Sequence, residues 1–313
     1  MKRLTAILTL FLAAQVALVI YSYSGGKEEI IAGTPLVALD VSAVDHIIIT
    51  DSNKKRVTIE KNEGNWILPD RFGVAADGTR IERFLENLSN LKTGWPVATT
   101  HSASTRFHVA VDNFKVKIKL QKGGDKAVFY LGDSAGARSA YLRMEGSGDI
   151  YRSSLAAYDF AANPDKWLDS SMLKLDAKEI AQLQLNDMVL LRKDDNFYLK
   201  DAKEGETDFS VAGNLVTTLA NLVPDGILGA GEESAYNLEH PEVLAVIKKK
   251  DGSTLGYRFA KKEKGENDYV LKISDSSHFF KIARWRINTL LDSSRELLLK
   301  KTEEEKTTSK EKK

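Results

Sequence analysis

The sequence predicts an α+β protein: an N-terminal transmembrane helix followed by two tandem similar modules, each mostly antiparallel β-sheet with a packed amphipathic helix. Three observations predict it. Short β-branched runs separated by turn residues fill most of the 313 residues. A strand end at Asn65-Trp66-Ile67-Leu68 leads into a helical stripe of apolar residues. The same design then returns 131 residues later, pairing Trp66 with Phe197, Asp77 with Asp208, Phe84 with Leu215, Leu85 with Val216, Leu88 with Leu219 and Leu91 with Leu222. One constant spacing across a strand, a cap and a stripe outweighs any isolated match. Two copies are too few for a solenoid, so tandem modules are expected.

Composition bounds the function. Hydrophobic residues make up 42% and charged residues 28%, as in an ordinary folded protein. Lys and Arg number 45 against 44 Asp and Glu, so the chain lacks the basic surplus of a nucleic-acid binder, and no nucleic-acid partner is expected. Cysteine is absent, which excludes disulfides, thiolate metal sites, cysteine nucleophiles and an N-terminal lipidated cysteine. An exported chain of this composition must rest on its core, and its length suffices to build one.

Lys2 and Arg3 precede an apolar run over residues 4–21. At 1.5 Å per residue the run spans roughly 27 Å, close to the bilayer's hydrocarbon thickness. Positive charge before it holds the N-terminus in the cytoplasm and sends the rest outward. Two readings compete, an uncleaved anchor and a cleaved signal peptide. The run is longer than a signal's apolar region and Ser22-Tyr23-Ser24 is a poor cleavage site, which favours the anchor. Residues 1–24 are thus the anchor or uncleaved signal, and 25–41 a tether carrying Gly25-Gly26 and Thr34-Pro35 without sustained periodicity.

The first module is expected over 42–171. Val44-Asp45-His46-Ile47-Ile48-Ile49 and Arg56-Val57-Thr58-Ile59-Glu60 flank a polar turn and read as a hairpin. Trp66-Ile67-Leu68 is a third strand that Pro69 stops. Asp77 caps the helix carrying Ile81, Phe84, Leu85, Leu88 and Leu91, and Gly94 with Trp95-Pro96 ends it. After a Ser/Thr-rich connection, alternation returns in Phe107-His108-Val109, in Val116-Lys117-Ile118-Lys119-Leu120 and, beyond Gly123-Gly124, in Ala127-Val128-Phe129-Tyr130-Leu131. Ala140 to Met144 and Ile150-Tyr151 flank the turn Gly146-Ser147-Gly148, and residues 155–168 form short helices interrupted at Pro164.

The second module is expected over 172–300. Its spacing from the first drifts downstream: Val116 to Leu120 matches Leu244 to Lys248, and Tyr141 matches Tyr269. Each module then closes on the same letters, Leu168-Asp169-Ser170-Ser171 and Leu291-Asp292-Ser293-Ser294. Residues 301–313 are Lys, Glu, Thr and Ser only, and are expected to be a disordered charged tail.

The basic start and apolar run, the hairpin, Asn65-Trp66-Ile67-Leu68, Asp77 with its leucine-striped helix, Tyr130-Leu131-Gly132, Tyr141-Leu142-Arg143 and Trp167-Leu168-Asp169-Ser170-Ser171 together resemble a bacterial family known as a domain of unknown function, numbered 4340. The resemblance covers most of the chain. It implies a membrane-anchored envelope protein accompanying ABC-type transport systems of the kind linked to gliding motility, and supplies no catalytic residues. The second module departs from the pattern, with Phe197 for the tryptophan and no glycine matching Gly132.

Chemistry-bearing patterns are sparse. Gly132-Asp133-Ser134-Ala135-Gly136 matches the G-x-S-x-G nucleophile elbow, which needs a strand before it and a helix after it. A strand precedes, but residues 138–144 alternate as another strand, so a strand-connecting turn is the favoured reading. His46, His101, His108, His240 and His278 show no helical metal spacing, although His101 and His108 flank one loop. Asp194-Asp195 and Glu232-Glu233 read as solvated turn residues, and Gly146-Ser147-Gly148 lacks what a phosphate loop requires. Trp66 and Trp167 fit as core anchors and Trp95 as the exposed tryptophan, with Trp285 the fourth. Lys248-Lys249-Lys250 and Lys261-Lys262 read as solubilising charges, with anionic lipid as the other reading.

The expectation is therefore a non-catalytic binding or scaffold protein of the bacterial inner membrane, single-pass, N-terminus cytoplasmic, the bulk periplasmic. Its partners are the membrane, through residues 4–21, and a protein of an ABC-type transport or envelope complex. No catalytic, cofactor or metal residue is assigned. The alternatives are an envelope serine hydrolase using Ser134 and a cell-wall glycan-binding module.

Overall fold

The computed structural model describes residues 33–229, 231–262 and 268–300, with Leu12 and residues 14–16 as a helical fragment. The rest of the expected span over 4–21, and the tail over 301–313, lie outside the described residues. Among the described residues no helix is long and apolar enough to cross a membrane.

The fold is α+β, with two eight-stranded sheets of antiparallel pairs and a few helices. The first sheet holds β1 (His46–Asp51), β2 (Arg56–Asn62), β3 (Asn65–Leu68), β4 (Val74–Ala75), β5 (Val116–Lys122), β6 (Asp125–Gly136), β7 (Ser139–Met144) and β8 (Ile150–Ser153) in the order β4-β3-β2-β1-β5-β6-β7-β8. Helices α1 (Gly78–Ser89) and α2 (His101–Arg106) lie in the crossover from β4 to β5. The second sheet holds β9 (Ile180–Leu185), β10 (Met188–Lys193), β11 (Asn196–Leu199), β12 (Gly226–Ile227), β13 (Val243–Lys249), β14 (Thr254–Lys261), β15 (Asp268–Ile273) and β16 (Phe279–Ala283), in the order β11-β10-β9-β13-β14-β15-β16-β12. Helix α3 (Phe209–Ala220) precedes β12, and α4 (Arg284–Leu291) follows β16. By contacts the chain divides into two compact units, Met1–Lys54 with Ile81–Phe160, and Lys55–Arg80 with Ala161–Lys313.

The spacing of 131 has a contact-level counterpart. Trp66 and Leu68 on β3 are buried as are Phe197 and Leu199 on β11, and each aromatic ring lies under a cation, Lys61 at 5.5 Å and Arg192 at 4.5 Å. Asp77 accepts from the Arg80 N–H at 3.0 Å, and Asp208 from the Ser210 and Val211 N–H groups at 3.0 and 3.2 Å, the two caps expected. Helix α1 buries Ile81, Phe84, Leu85 and Leu88; α3 buries Ala212, Leu215, Val216, Leu219 and Ala220.

Two matches drawn from the sequence are corrected. The Asp77 N–H donates to Trp167 O and the Asp208 N–H to Leu298 O, both at 2.8 Å, while Ala76 bridges Leu168 and Thr207 bridges Leu299. The closing segments that correspond are therefore Trp167-Leu168 and Leu298-Leu299. Leu291-Asp292-Ser293-Ser294 instead ends α4, where the Asp292 N–H returns to Asn288 O, whereas Asp169 makes a side-chain turn to the Ser171 N–H. The second correction concerns register. Val116, Ile118 and Leu120 point inward on β5, and Val243, Ala245 and Ile247 do so on β13, while Leu244 is 41% exposed. Matching Val116 to Leu244 is off by one residue, which exchanges the two faces of a strand. Tyr141 is likewise half-buried on β7, whereas Tyr269 on β15 is buried.

Other segments differ from expectation. Residues 33–41, read as tether, pack against the fold: Leu36, Val37 and Val41 are buried and the Leu36 N–H donates to Leu91 O at 2.9 Å. The Ser/Thr-rich connection is helix α2, capped by Thr100 Oγ1 accepting from the Ala103 N–H at 3.2 Å, and Phe107-His108-Val109 follows it as irregular chain. Pro164 starts a short 3-10 turn, Pro164–Trp167, where its missing N–H costs nothing.

Gly132 is held by space rather than by backbone angle. A Cβ there would lie 1.9 Å from Phe107 O and 2.8 Å from His108 O, both main-chain atoms. The backbone crossing it cannot retreat, because Phe107 O accepts the Asp133 N–H at 3.0 Å. Gly132→Ala is expected to cost about 3 kcal/mol, the upper end for overpacking, read as a lower urea midpoint at unchanged slope. A cost under ~1 kcal/mol would show that the crossing yields.

Candidate functional site

After α1 the chain turns back along the open edge of the first sheet. The Val97 N–H donates to Ile150 O at 2.8 Å and the Ile150 N–H to Ala98 O at 2.9 Å, so residues 97–98 extend the sheet beyond β8. Upstream, the Thr93 N–H donates to Thr34 O at 2.9 Å; downstream, Thr100 caps α2. Ala98 faces the cluster of Ala103, Val109, Phe114, Tyr130 and Ile150. Strand alternation then turns Val97 outward, 51% exposed, and Trp95 stands two residues before it at 87% exposed. A large apolar surface on a backbone pinned from both sides resembles the aromatic anchors that carry protein interfaces.

Trp66 and Trp167 are buried, as expected, and Trp95 is exposed. Trp285, 67% exposed on α4 beside Arg286, was not distinguished in the sequence. Only Ile287 and Leu290 of α4 are buried, too thin a stripe to mark the helix or the residue off it. Phe72 is a second missed aromatic, 54% exposed with φ 59°, its ring 5.6 Å from His278. The neighbouring Gly73 is the one signal for that tight turn.

Ser134 lies within β6, not in a turn; Ala137-Arg138 makes the connection to β7, with Arg138 at φ 51°. The strand is irregular here, its register with β7 shifting on both sides of Ser134. Ser134 Oγ donates to Gly136 O at 3.0 Å. His108 Nδ1 meets the adjacent Asp133 at 2.7 Å and makes no bond to Ser134, so serine and imidazole are not assembled as nucleophile and base. His101 opens α2 and His108 follows it, but they do not bond to each other. His46 pairs with its neighbour Asp45 at 2.8 Å. Asp194 sits at φ 55° in the β10–β11 turn; Glu232 reaches Lys281 at 3.9 Å. Among the described residues no group of three His, Cys, Asp or Glu is placed to hold a metal ion.

Two polar nodes serve the fold. Tyr130 donates to Glu145 at 2.8 Å and Lys117 joins at 3.1 Å; the Tyr130 bond, then Lys117, holds the Glu145 carboxyl below its ordinary range. Asp165 accepts the Ile227 N–H at 3.4 Å and lies within 3.7 Å of Arg71 and 3.8 Å of Lys281, with Gly226 leaving room that a Cβ would fill.

These features define a class, an α+β protein of two eight-stranded antiparallel sheets with an aromatic-bearing open edge. Residues 66–241, more than half of the chain, match the family described as Domain of unknown function (DUF4340), and the chain belongs to it. No curated protein and no solved structure matches the chain.

Proposed function

We propose that the chain is a membrane-anchored extracytoplasmic scaffold or binding protein, built of two similar modules and acting as accessory to an ABC-type transport or envelope complex. The observation that carries the docking role is Trp95, 87% exposed on the extended edge of the first sheet. Support for the membrane role comes from Lys2 and Arg3 before the apolar run of residues 4–21, which is long enough to span. A rigidly mounted tryptophan gives large contact area at small entropic cost, as interface anchors do.

The test is photo-crosslinking in cells from a benzophenone amino acid at Val97 of the full chain. One membrane protein is expected in the captured band, reduced at least tenfold by Trp95→Ala. Capture of many proteins equally, or a band indifferent to Trp95→Ala, would sink the docking role. The same exposed tryptophan suits a glycan, so co-sedimentation with purified sacculi lost on Trp95→Ala would transfer the reading to cell-wall binding.

A further inference from the structure

Arg143 on β7 is 7% exposed, and no carboxylate pairs with it among the described residues. Its Nε donates to Val109 O at 2.7 Å and its Nη1 to Ser147 O at 2.8 Å and Met144 O at 3.3 Å, while the guanidinium lies 4.8 Å from the Tyr130 ring centroid. Carbonyl dipoles and a ring face thus fix the group, but no carboxylate is bonded to it among the described residues. Burying a charge away from any opposite charge is costly, so a buried guanidinium left without a carboxylate is an uncommon arrangement. The remaining nitrogen, Nη2, takes no hydrogen bond among the described residues and is not among the side-chain nitrogens sealed from solvent.

Arg143 lines a cavity of ≈ 330 Å³. Thr99 and His101 line it too, and neither the Thr99 hydroxyl nor the His101 ring has a hydrogen-bond partner among the described residues. The cavity is thus lined by one buried polar residue, Arg143, and two exposed ones, Thr99 and His101. Ala110 and Val111 give it an apolar side, and Asp112, exposed, adds a negative charge to its lining. One buried cation with a carboxylate nearby favours a single negative charge over a phosphate dianion, and the apolar side favours an organic body behind it.

We infer that this cavity binds the carboxylate of a small organic monoacid or of a peptide, held by Arg143 Nη2, His101 and Thr99, with the ligand's apolar part on Ala110 and Val111. The assignment goes beyond the docking reading and does not depend on it, since neither Trp95 nor Val97 lines the cavity.

The test is isothermal titration of the full chain in detergent with sodium butyrate, against sodium chloride at matched ionic strength. Saturable binding is expected for butyrate. Thr99→Ala and His101→Ala, which remove no bond holding the fold, are each expected to weaken it by about tenfold, the loss of one hydrogen bond to a charged group. Arg143→Gln is expected to abolish it, with circular dichroism showing whether that variant folds. Asp112→Asn is expected to tighten it. A valine-ending tetrapeptide and its C-terminal amide separate the sources: tighter binding of the free-acid peptide than of butyrate identifies a peptide ligand, and the reverse a free acid. No saturable butyrate or peptide binding, inorganic phosphate binding more tightly than butyrate, or binding unchanged in Thr99→Ala and His101→Ala would each overturn the assignment.

Discussion

Trp167→Ala is expected to destabilise the chain by about 3–5 kcal/mol, the range for deleting a buried aromatic. Trp167 is 1% exposed, its Nε1 donates to Ala161 O at 2.8 Å, and the Arg80 guanidinium lies 4.1 Å from its ring centroid. Its carbonyl accepts the Asp77 N–H at 2.8 Å, so the side chain also seats the cap of α1. Losing several kcal/mol of a total of roughly 5–15 is most of a typical fold's margin. Trp66→Phe is the control. Trp66 Nε1 is buried without a partner, and phenylalanine stands at the corresponding place, Phe197. Removing an unsatisfied donor offsets the smaller ring, so this variant is expected within ~1 kcal/mol of the native chain. Urea melts of the full chain in detergent measure both. A cost for Trp167→Ala as small as that of Trp66→Phe would show that the buried ring at Trp167, with its hydrogen bond and seated cap, does not hold the fold.

Legibility in the sequence followed how one-sided each pattern is. The stripes of α1 and α3 were readable because each buries one face, and two copies at one spacing reinforced each other. On β13, Val243-Leu244-Ala245-Val246-Ile247 is apolar on both faces, so alternation could not fix which residues point inward, and the match slipped by one. Helix α2 has six residues, fewer than two turns, and its composition reads as a turn until Thr100 is seen capping it. Leu291-Asp292-Ser293-Ser294 misled because helix ends and turns share aspartate and serine.

The candidate sites divide in the same way. Trp95 was readable, because a helix exit before Pro96 leaves a tryptophan little to pack against. The Arg143 cavity was not. It depends on Val109 O, 34 residues away in sequence, and on the carbonyls of Met144, which ends β7, and of Ser147 beyond it, and backbone acceptors carry no residue signature. Ser134 shows the converse. Its motif is present in the letters, but β6 runs through it and the neighbouring imidazole is bonded to Asp133.

Alkaline titration gives the other large effect. Burial raises the Tyr257 hydroxyl to about 12, and Asp275 adds to it. Burial also raises Tyr269 to about 12, reinforced by its bond to Glu242 at 2.5 Å. Both side chains are 1% exposed, on adjacent strands β14 and β15. A tyrosine whose folded pKa lies above its unfolded value of about 10 binds its proton more tightly in the folded state. Its contribution is therefore fully present below pH 10 and is lost as pH rises toward 12. At 1.36 kcal/mol per unit, two such groups remove roughly 5 kcal/mol across that window. Lysines titrate over the same range, so the difference between variants is the quantity to measure. Tyr257→Phe with Tyr269→Phe is expected to flatten the fall in unfolding free energy by about 2.7 kcal/mol per pH unit between 10 and 12. Glu242 is exposed, so losing the Tyr269 hydroxyl strands no buried charge. Absorbance at 295 nm should show two fewer late-ionising tyrosines in the double variant than in the native chain. If the double variant and the native chain lose stability in parallel from pH 9 to 12, burial of these hydroxyls is not what limits the fold in base.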